Sequence, residues 1–155
     1  GVQNEMLTEP FTYGVAGSPE KHDEAMNMET DIENLKAKVN AGAQYIVTQM
    51  FFDNSKYFAF VKRLRKEGIN VPVIPGLKPL TTLNHLTMLP KTFHIDFPKR
   101  LSNELMKCKS NDDVKAVGVE WAKHQCRELR ENGVPGIHFY TMNASQSVEK
   151  IMNGL

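Results

Sequence analysis

Along this chain, short apolar runs alternate with amphipathic stretches from residue 13 onward. That alternation is the pattern of βαβ units, in which crossover helices join parallel strands. The same punctuation appears three times. Ala41-Gly42-Ala43-Gln44 leads into Tyr45-Ile46-Val47-Thr48-Gln49, Glu67-Gly68-Ile69-Asn70 into Val71-Pro72-Val73-Ile74, and Asn132-Gly133-Val134-Pro135 into Gly136-Ile137-His138-Phe139-Tyr140. In each, a glycine able to take positive φ closes a helix and a strand follows within a few residues. The pattern predicts strands near residues 13–16, 45–51, 71–75 and 137–141.

The helices follow from spacing. Thr30 followed by Glu33 fits a capping box, and Ile32, Leu35 and Val39 recur at helical intervals, which predicts a helix over about 29–41. A second helix, over Ser55 to Lys66, carries the apolar stripe Tyr57, Phe58, Phe60, Val61 and Leu64. Its basic tail, Lys62, Arg63, Arg65 and Lys66, offsets the negative end of the helix dipole, and this accounts for the run better than a phosphate site does. Pro72 and Pro75 cannot donate to a ladder, so they belong at strand ends or where a neighbour needs no N–H. A further helix is expected near Leu80, turns with a short helix over 90–105, a long helix from Ser110 to Arg130, and a closing helix from Ala144 to Met152.

Four β/α units with parallel strands define the α/β class and fit two architectures. One is half of an eight-fold (β/α)8 TIM barrel; the other is a small doubly wound sheet with helices on both faces. Both put chemistry at the carboxyl ends of the strands. That rule selects Ala16 to His22, Thr48 to Asp53, Pro75 to Pro79 and Tyr140 to Asn143.

Composition narrows the classes further. With 155 residues, 41% of them hydrophobic, the chain can bury a core as one domain. A formal charge of +1 gives no net pull toward nucleic acid or an anionic membrane. No apolar run is long enough to span a bilayer, and no basic-then-apolar leader opens the chain. Cys108 and Cys126 show no metal or redox spacing and read as reduced thiols, so a cytoplasmic location is expected. His85, His94, His124 and His138 lack metal spacing, and no metal is expected. Glycine-rich nucleotide loops and the G-x-S-x-G hydrolase elbow are missing from the sequence.

The candidate chemistry is compact. Gln49, at the end of an otherwise apolar strand, offers a donor and an acceptor to a flat heterocycle with an amide edge, or else bonds neighbouring loop backbone. His22 precedes a helix start that attracts anions. Asp31, Asn34 and Lys38, at i, i+3 and i+7, share one helical flank that suits a phosphate or ribityl chain or, more blandly, a solvated charge pair.

Five colinear segments resemble one known family: Ala16-Gly17-Ser18-Pro19-Glu20-Lys21-His22, the helix Asp31 to Lys38, Thr48-Gln49-Met50-Phe51-Phe52-Asp53, Ile74-Pro75-Gly76-Leu77-Lys78-Pro79 and Ile137-His138-Phe139-Tyr140-Thr141-Met142-Asn143. In order and spacing they are similar to methylenetetrahydrofolate reductase over residues 14–155. The resemblance implies a flavoprotein (β/α)8 barrel in which NADH or NADPH reduces FAD, and the flavin passes a hydride to 5,10-methylenetetrahydrofolate. It assigns His22, Asp31, Asn34 and Lys38 to FAD, and Gln49 to the pterin ring. Tyr140 and the stretch from His85 to Leu89 go to the substrate pocket. Ser18, Ala37, Leu89 and Ala144 depart from the family's usual residues. The resemblance further implies that the chain is the C-terminal half of the catalytic barrel, with the acid glutamate and a flavin-proximal aspartate in the other half, and that it is inactive alone. A half barrel exposes strand edges, so a homo-oligomer is expected. The competing reading is a non-catalytic doubly wound domain that binds a phosphate-bearing ligand.

Overall fold

The computed structural model describes residues 13–20, 28–140 and 145–155. Three parallel strands lie side by side in the order β1 (Gly14–Gly17), β2 (Tyr45–Thr48), β3 (Val73–Ile74), with Gly14 paired to Tyr45 and Ile46 to Val73. A second parallel pair joins β4 (Gly76–Leu77) to β5 (His138–Phe139). Only Pro75 separates β3 from β4, so one extended segment pairs with β2 and then turns to β5. The missing N–H of Pro75 costs nothing at this change of partner, and its carbonyl still accepts from the His138 amide at 2.9 Å. Pro72 likewise sits just before β3 and accepts from the Ile46 amide at 2.9 Å. Both prolines therefore occupy the places that strand chemistry allows.

Helix α1 (Met28–Asn40) connects β1 to β2, and α2 (Asn54–Lys66) connects β2 to β3. Three helices, α3 (His85–Phe93), α4 (Lys99–Met106) and α5 (Asn111–Glu131), intervene before β5, and α6 (Ser145–Asn153) follows it. The sheet buries one face against them. Ile46, Val73 and Leu77 pack with Ile32 and Leu35 of α1, Tyr57, Phe60 and Leu64 of α2, Cys126 and Leu129 of α5, and Ile151 of α6. Strand alternation sends Tyr45, Val47, Ile74 and His138 to the other face, where each is half-buried or exposed. A parallel sheet normally has both faces covered. Here one stays open among the described residues, as in part of a barrel.

A second cluster, Met50, Phe52, Leu80, Leu89, Ile95, Leu101, Leu105 and Val114, packs α3 and α4 against the first half of α5. Polar pins join it to the sheet. Trp121 Nε1 donates to the Phe52 carbonyl at 2.8 Å, Gln125 Nε2 to the Phe51 carbonyl at 3.2 Å, and Asn54 Nδ2 to the Gln125 carbonyl at 3.1 Å. Asp53 caps α2 by accepting from the Ser55 amide at 2.9 Å. Tyr57 donates its buried hydroxyl to the Val73 carbonyl at 2.6 Å, and burial pushes its pKa up to about 12.

The α/β class, the parallel strands and the helices match the sequence reading, with local corrections. Helix α1 starts at Met28, so Thr30 lies inside its first turn and does not cap it. The capping box belongs to α5, where Ser110 and Asp113 bond each other's backbone N–H. Strand β2 ends at Thr48, short of residue 51, because Phe51 dives into the first core while Met50 and Phe52 enter the second. The helix expected near Leu80 begins at His85, since Leu80 is itself a core residue and a turn follows it. Helix α3 runs through Pro90 and ends at His94 with a left-handed φ of 53°.

Gly118 shows how tightly α5 is seated. A Cβ there would lie 2.5 Å from the Leu80 carbonyl oxygen. Alanine raises helix propensity by about 1 kcal/mol, but overpacking against fixed backbone costs about 1 to 3 kcal/mol. Gly118→Ala should therefore lower the urea midpoint, whereas Gly136→Ala, with no atom within 4 Å of its Cβ, should stay within about 0.5 kcal/mol of the parent. An unchanged midpoint for Gly118→Ala would refute this packing.

Candidate active site

The carboxyl end of β2, the start of β4 and the residue after β5 converge on Thr48. Its Oγ1 accepts from the Gly76 amide at 2.9 Å, and its carbonyl accepts from the Tyr140 hydroxyl at 2.7 Å. Thr48 is fully buried, and burial raises the Tyr140 hydroxyl above its ordinary range, so that hydroxyl stays protonated and donates. Gly76 is required between them, because a Cβ would stand 2.4 Å from the Thr48 oxygen and 2.7 Å from the Tyr140 ring. His138 meets Tyr140 edge to face at 4.7 Å between centroids.

Gln49 comes next. Its amide continues the ladder by donating to the Gly17 carbonyl at 2.6 Å. The side chain is half-buried and takes no partner among the described residues. A side-chain amide held this way at the open end of a strand retains its full donor and acceptor capacity for a ligand.

Lys78 follows β4, and His85 opens α3. Thr81 N–H donates to His85 Nδ1 at 3.1 Å. Burial first, and then the nearby Lys78 charge, lower the His85 pKa from its ordinary value. Burial also lowers that of Lys78. Of the residues expected near a ligand, Gln49 follows β2 and Tyr140 follows β5, while His85 opens α3 beyond the turn after β4. Leu89 does not: it is fully buried in the second core, where a leucine of α3 packs against Met50 and Leu80, and no part of it faces a ligand.

On α1, Ile32 and Leu35 are buried while Asn34 and Lys38 are exposed and Asp31 is half-buried. The row therefore presents polar groups beside the packed stripe, as the spacing predicts. His22 lies outside the described residues, as do residues 141–143 of the last quoted segment. Among the described residues, no group of three His, Cys, Asp or Glu side chains is placed to hold a metal ion, and no helix is long and apolar enough to cross a membrane.

Sequence reasoning missed two features. The first is the Thr48 clamp, whose signal was a threonine ending an apolar strand opposite a Pro-Gly pair. The second is a charged tripod in which Lys56 Nζ donates to Glu20 and to Asp96, the latter at 3.2 Å, while the Asp96 amide donates to Glu20 at 3.2 Å. Burial opposes the Lys56 charge, but Glu20 and then Asp96 outweigh it and raise its pKa. The tripod fastens the segment after β1 to α2 and to the α3–α4 connection. Two surface grooves of about 540 and 500 Å³ share Arg100, Trp121 and His124, and neither is lined by Gln49, His85 or Tyr140.

Comparison with known proteins decides the family. The family model described as methylenetetrahydrofolate reductase matches residues 3–155. The chain belongs to the methylenetetrahydrofolate reductase family. It is similar to methylenetetrahydrofolate reductase 1 of Schizosaccharomyces pombe, 36% identical over 146 residues that cover 94% of this chain and 24% of that protein. It is also similar to the 5,10-methylenetetrahydrofolate reductase of Buchnera aphidicola, 36% identical over 138 residues that cover 87% of this chain and 47% of that one. The chain thus spans less than half the length of these reductases. A solved structure, described as an uncharacterized protein from Clostridium thermocellum that binds two copies of 5-methyl-5,6,7,8-tetrahydrofolic acid, shares the fold with a TM-score of 0.58 at 20% identity, covering 90% of this chain and 52% of that chain.

Two outcomes follow from the geometry of this reductase-family site. Thr48→Val keeps shape and strand propensity but leaves the buried Gly76 N–H without an acceptor, which should cost about 1 to 3 kcal/mol in denaturant melts; Thr48→Ser should recover most of it. The lowered His85 pKa means that below about 6.5 the unfolded chain binds more protons than the folded one, so stability falls with falling pH in that window. His85→Gln should flatten that part of the stability–pH curve, and an unchanged slope would show that His85 titrates freely.

Proposed function

We propose that the chain is the C-terminal half of a reductase barrel, carrying strands five to eight, and that the whole protein reduces 5,10-methylenetetrahydrofolate to 5-methyltetrahydrofolate with NADH or NADPH through FAD. The observation that carries this reading is the Gln49 side-chain amide, which takes no partner among the described residues just past the carboxyl end of β2, in a chain whose family model spans residues 3–155. The open sheet face and the 47% coverage of the bacterial relative support the half-barrel part. On this reading the chain alone is inactive, because the acid glutamate comes from the other half. Pairing of the exposed strand edges, with that half or with a second copy, goes with it.

The flank of α1 fits a flavin dinucleotide chemically. Lys38 is an exposed ammonium suited to a phosphate, and the Asn34 amide and Asp31 carboxylate suit ribityl hydroxyls. His22 completes the set in this reading. FAD, when bound, supplies the hydride relay between the nicotinamide and the folate. Gln49 orients the pterin by its amide edge, while Tyr140 and His85 wall the pocket. Leu89 is left out of this set because its side chain is fully buried.

The test uses the protein with its complete barrel. It should bind FAD and oxidise NADH or NADPH in the presence of the folate. Lys38→Met should weaken flavin retention about tenfold, the scale of one charge-assisted hydrogen bond. Gln49→Leu should slow folate reduction while nicotinamide oxidation by an artificial acceptor continues. A protein that binds no flavin in any form would sink the reading in favour of a non-catalytic ligand-binding domain.

A further inference from the structure

Lys78 is placed with unusual economy for a lysine. It follows Leu77, which is 1% exposed in the core beneath the helices, so strand alternation turns Lys78 to the open face together with Gly76. Continued one step, the β4–β5 register of Gly76 with His138 and Leu77 with Phe139 pairs Lys78 with Tyr140. The side chain is half-buried, and among the described residues no carboxylate lies within ion-pair distance of it. A half-buried ammonium without a counter-charge is a cost that a fold ordinarily removes.

His85 stands beside it. Residues 79–84 turn back so that the Thr81 N–H donates to His85 Nδ1. A ring nitrogen that accepts a hydrogen bond carries no proton, so the neutral ring holds its hydrogen on Nε2. The Lys78 charge reaches this ring and helps to lower its pKa. The segment from Lys78 to His85 therefore offers an ammonium after β4 and an N–H donor at the start of α3, and among the described residues neither side chain is ion-paired to a carboxylate.

We propose that Lys78 and His85 form the recognition site for an anionic group, a carboxylate or a phosphate, at the far end of the ligand that enters the pocket beside Gln49 and Tyr140. This rests on the reductase reading, which supplies two ligands with such ends. A folate ends in glutamyl carboxylates, and a nicotinamide dinucleotide carries phosphates. Tyr140 lies in register with Lys78, so one ligand lying across the strand ends reaches both.

The experiment measures dissociation constants for four probes on the flavin-loaded protein with its complete barrel, as parent, Lys78→Met and Lys78→Arg. The probes are 5-methyltetrahydrofolate, the same compound without its glutamate (5-methyltetrahydropteroate), NADH and NADPH. Methionine keeps the aliphatic stem, and a thermal melt checks that each variant folds. If the site holds a glutamyl carboxylate, Lys78→Met weakens 5-methyltetrahydrofolate about tenfold, leaves the pteroate within about twofold, and Lys78→Arg restores most of the loss. If it holds a phosphate, the loss falls on NADH or NADPH and spares both folates. All four constants unchanged in Lys78→Met would overturn the site while the reductase reading stands. A parent protein that binds none of the four would overturn that reading, and this inference with it.

Discussion

Thr48 holds the strand ends together. The segment from Val73 to Leu77 must leave β2 and join β5, and at the change of partner the buried Gly76 amide has no strand carbonyl to meet. A buried N–H left unpaired is costly, and the Thr48 hydroxyl removes that cost. The same residue's carbonyl then captures Tyr140 from the next strand. Glycine is compelled at 76 by the approach this brings about. One residue thus accounts for the glycine and the seating of the tyrosine, its hydroxyl by taking the Gly76 amide and its carbonyl by taking the Tyr140 hydroxyl.

Cohesion in the chain is one-sided. The helices put their apolar stripes on one face of the sheet, and the second cluster under α3 and α4 extends that layer without covering the opposite face. Buried amides do the joining where the two clusters meet, with Asn54 and Gln125 exchanging bonds with each other and with strand-loop carbonyls. Among the described residues the opposite face carries Tyr45, Val47, Gln49 and His138, each half-buried or exposed.

Much of this was legible in the sequence, and the misses have physical causes. Glycine punctuation located three of the strands because positive φ after a helix is a backbone requirement that few other residues meet. Apolar spacing found α1, α2 and α5, since each buries a stripe against the same sheet face. The capping signal at Thr30 misled because a hydroxyl three residues before a glutamate is compatible with a first turn as well as a cap, and only the preceding residues decide. Strand length over Met50 to Phe52 was overread because apolar character is the same whether a side chain joins a ladder or drops into a second core. Gln49 and the α1 row were visible as surface chemistry at positions the fold class makes functional, whereas Lys78 lay within a selected strand end but was not singled out, since the sequence does not show that it is half-buried with no ion pair among the described residues.

Pro75 has a consequence for evolution of the pocket. With a single residue between β3 and β4, the offset between the ladder that ends at Gln49 and the ladder that ends at Tyr140 is set by one peptide unit of covalent chain, about 3.3 Å of rise. Side-chain packing drifts by small steps as a family diverges, but a covalent length changes only by insertion or deletion. The segment acts as a ruler. A chain that keeps this one-residue interval keeps the same separation between the two groups whatever happens to the helices behind them, and an insertion there would reset it by a whole residue of rise.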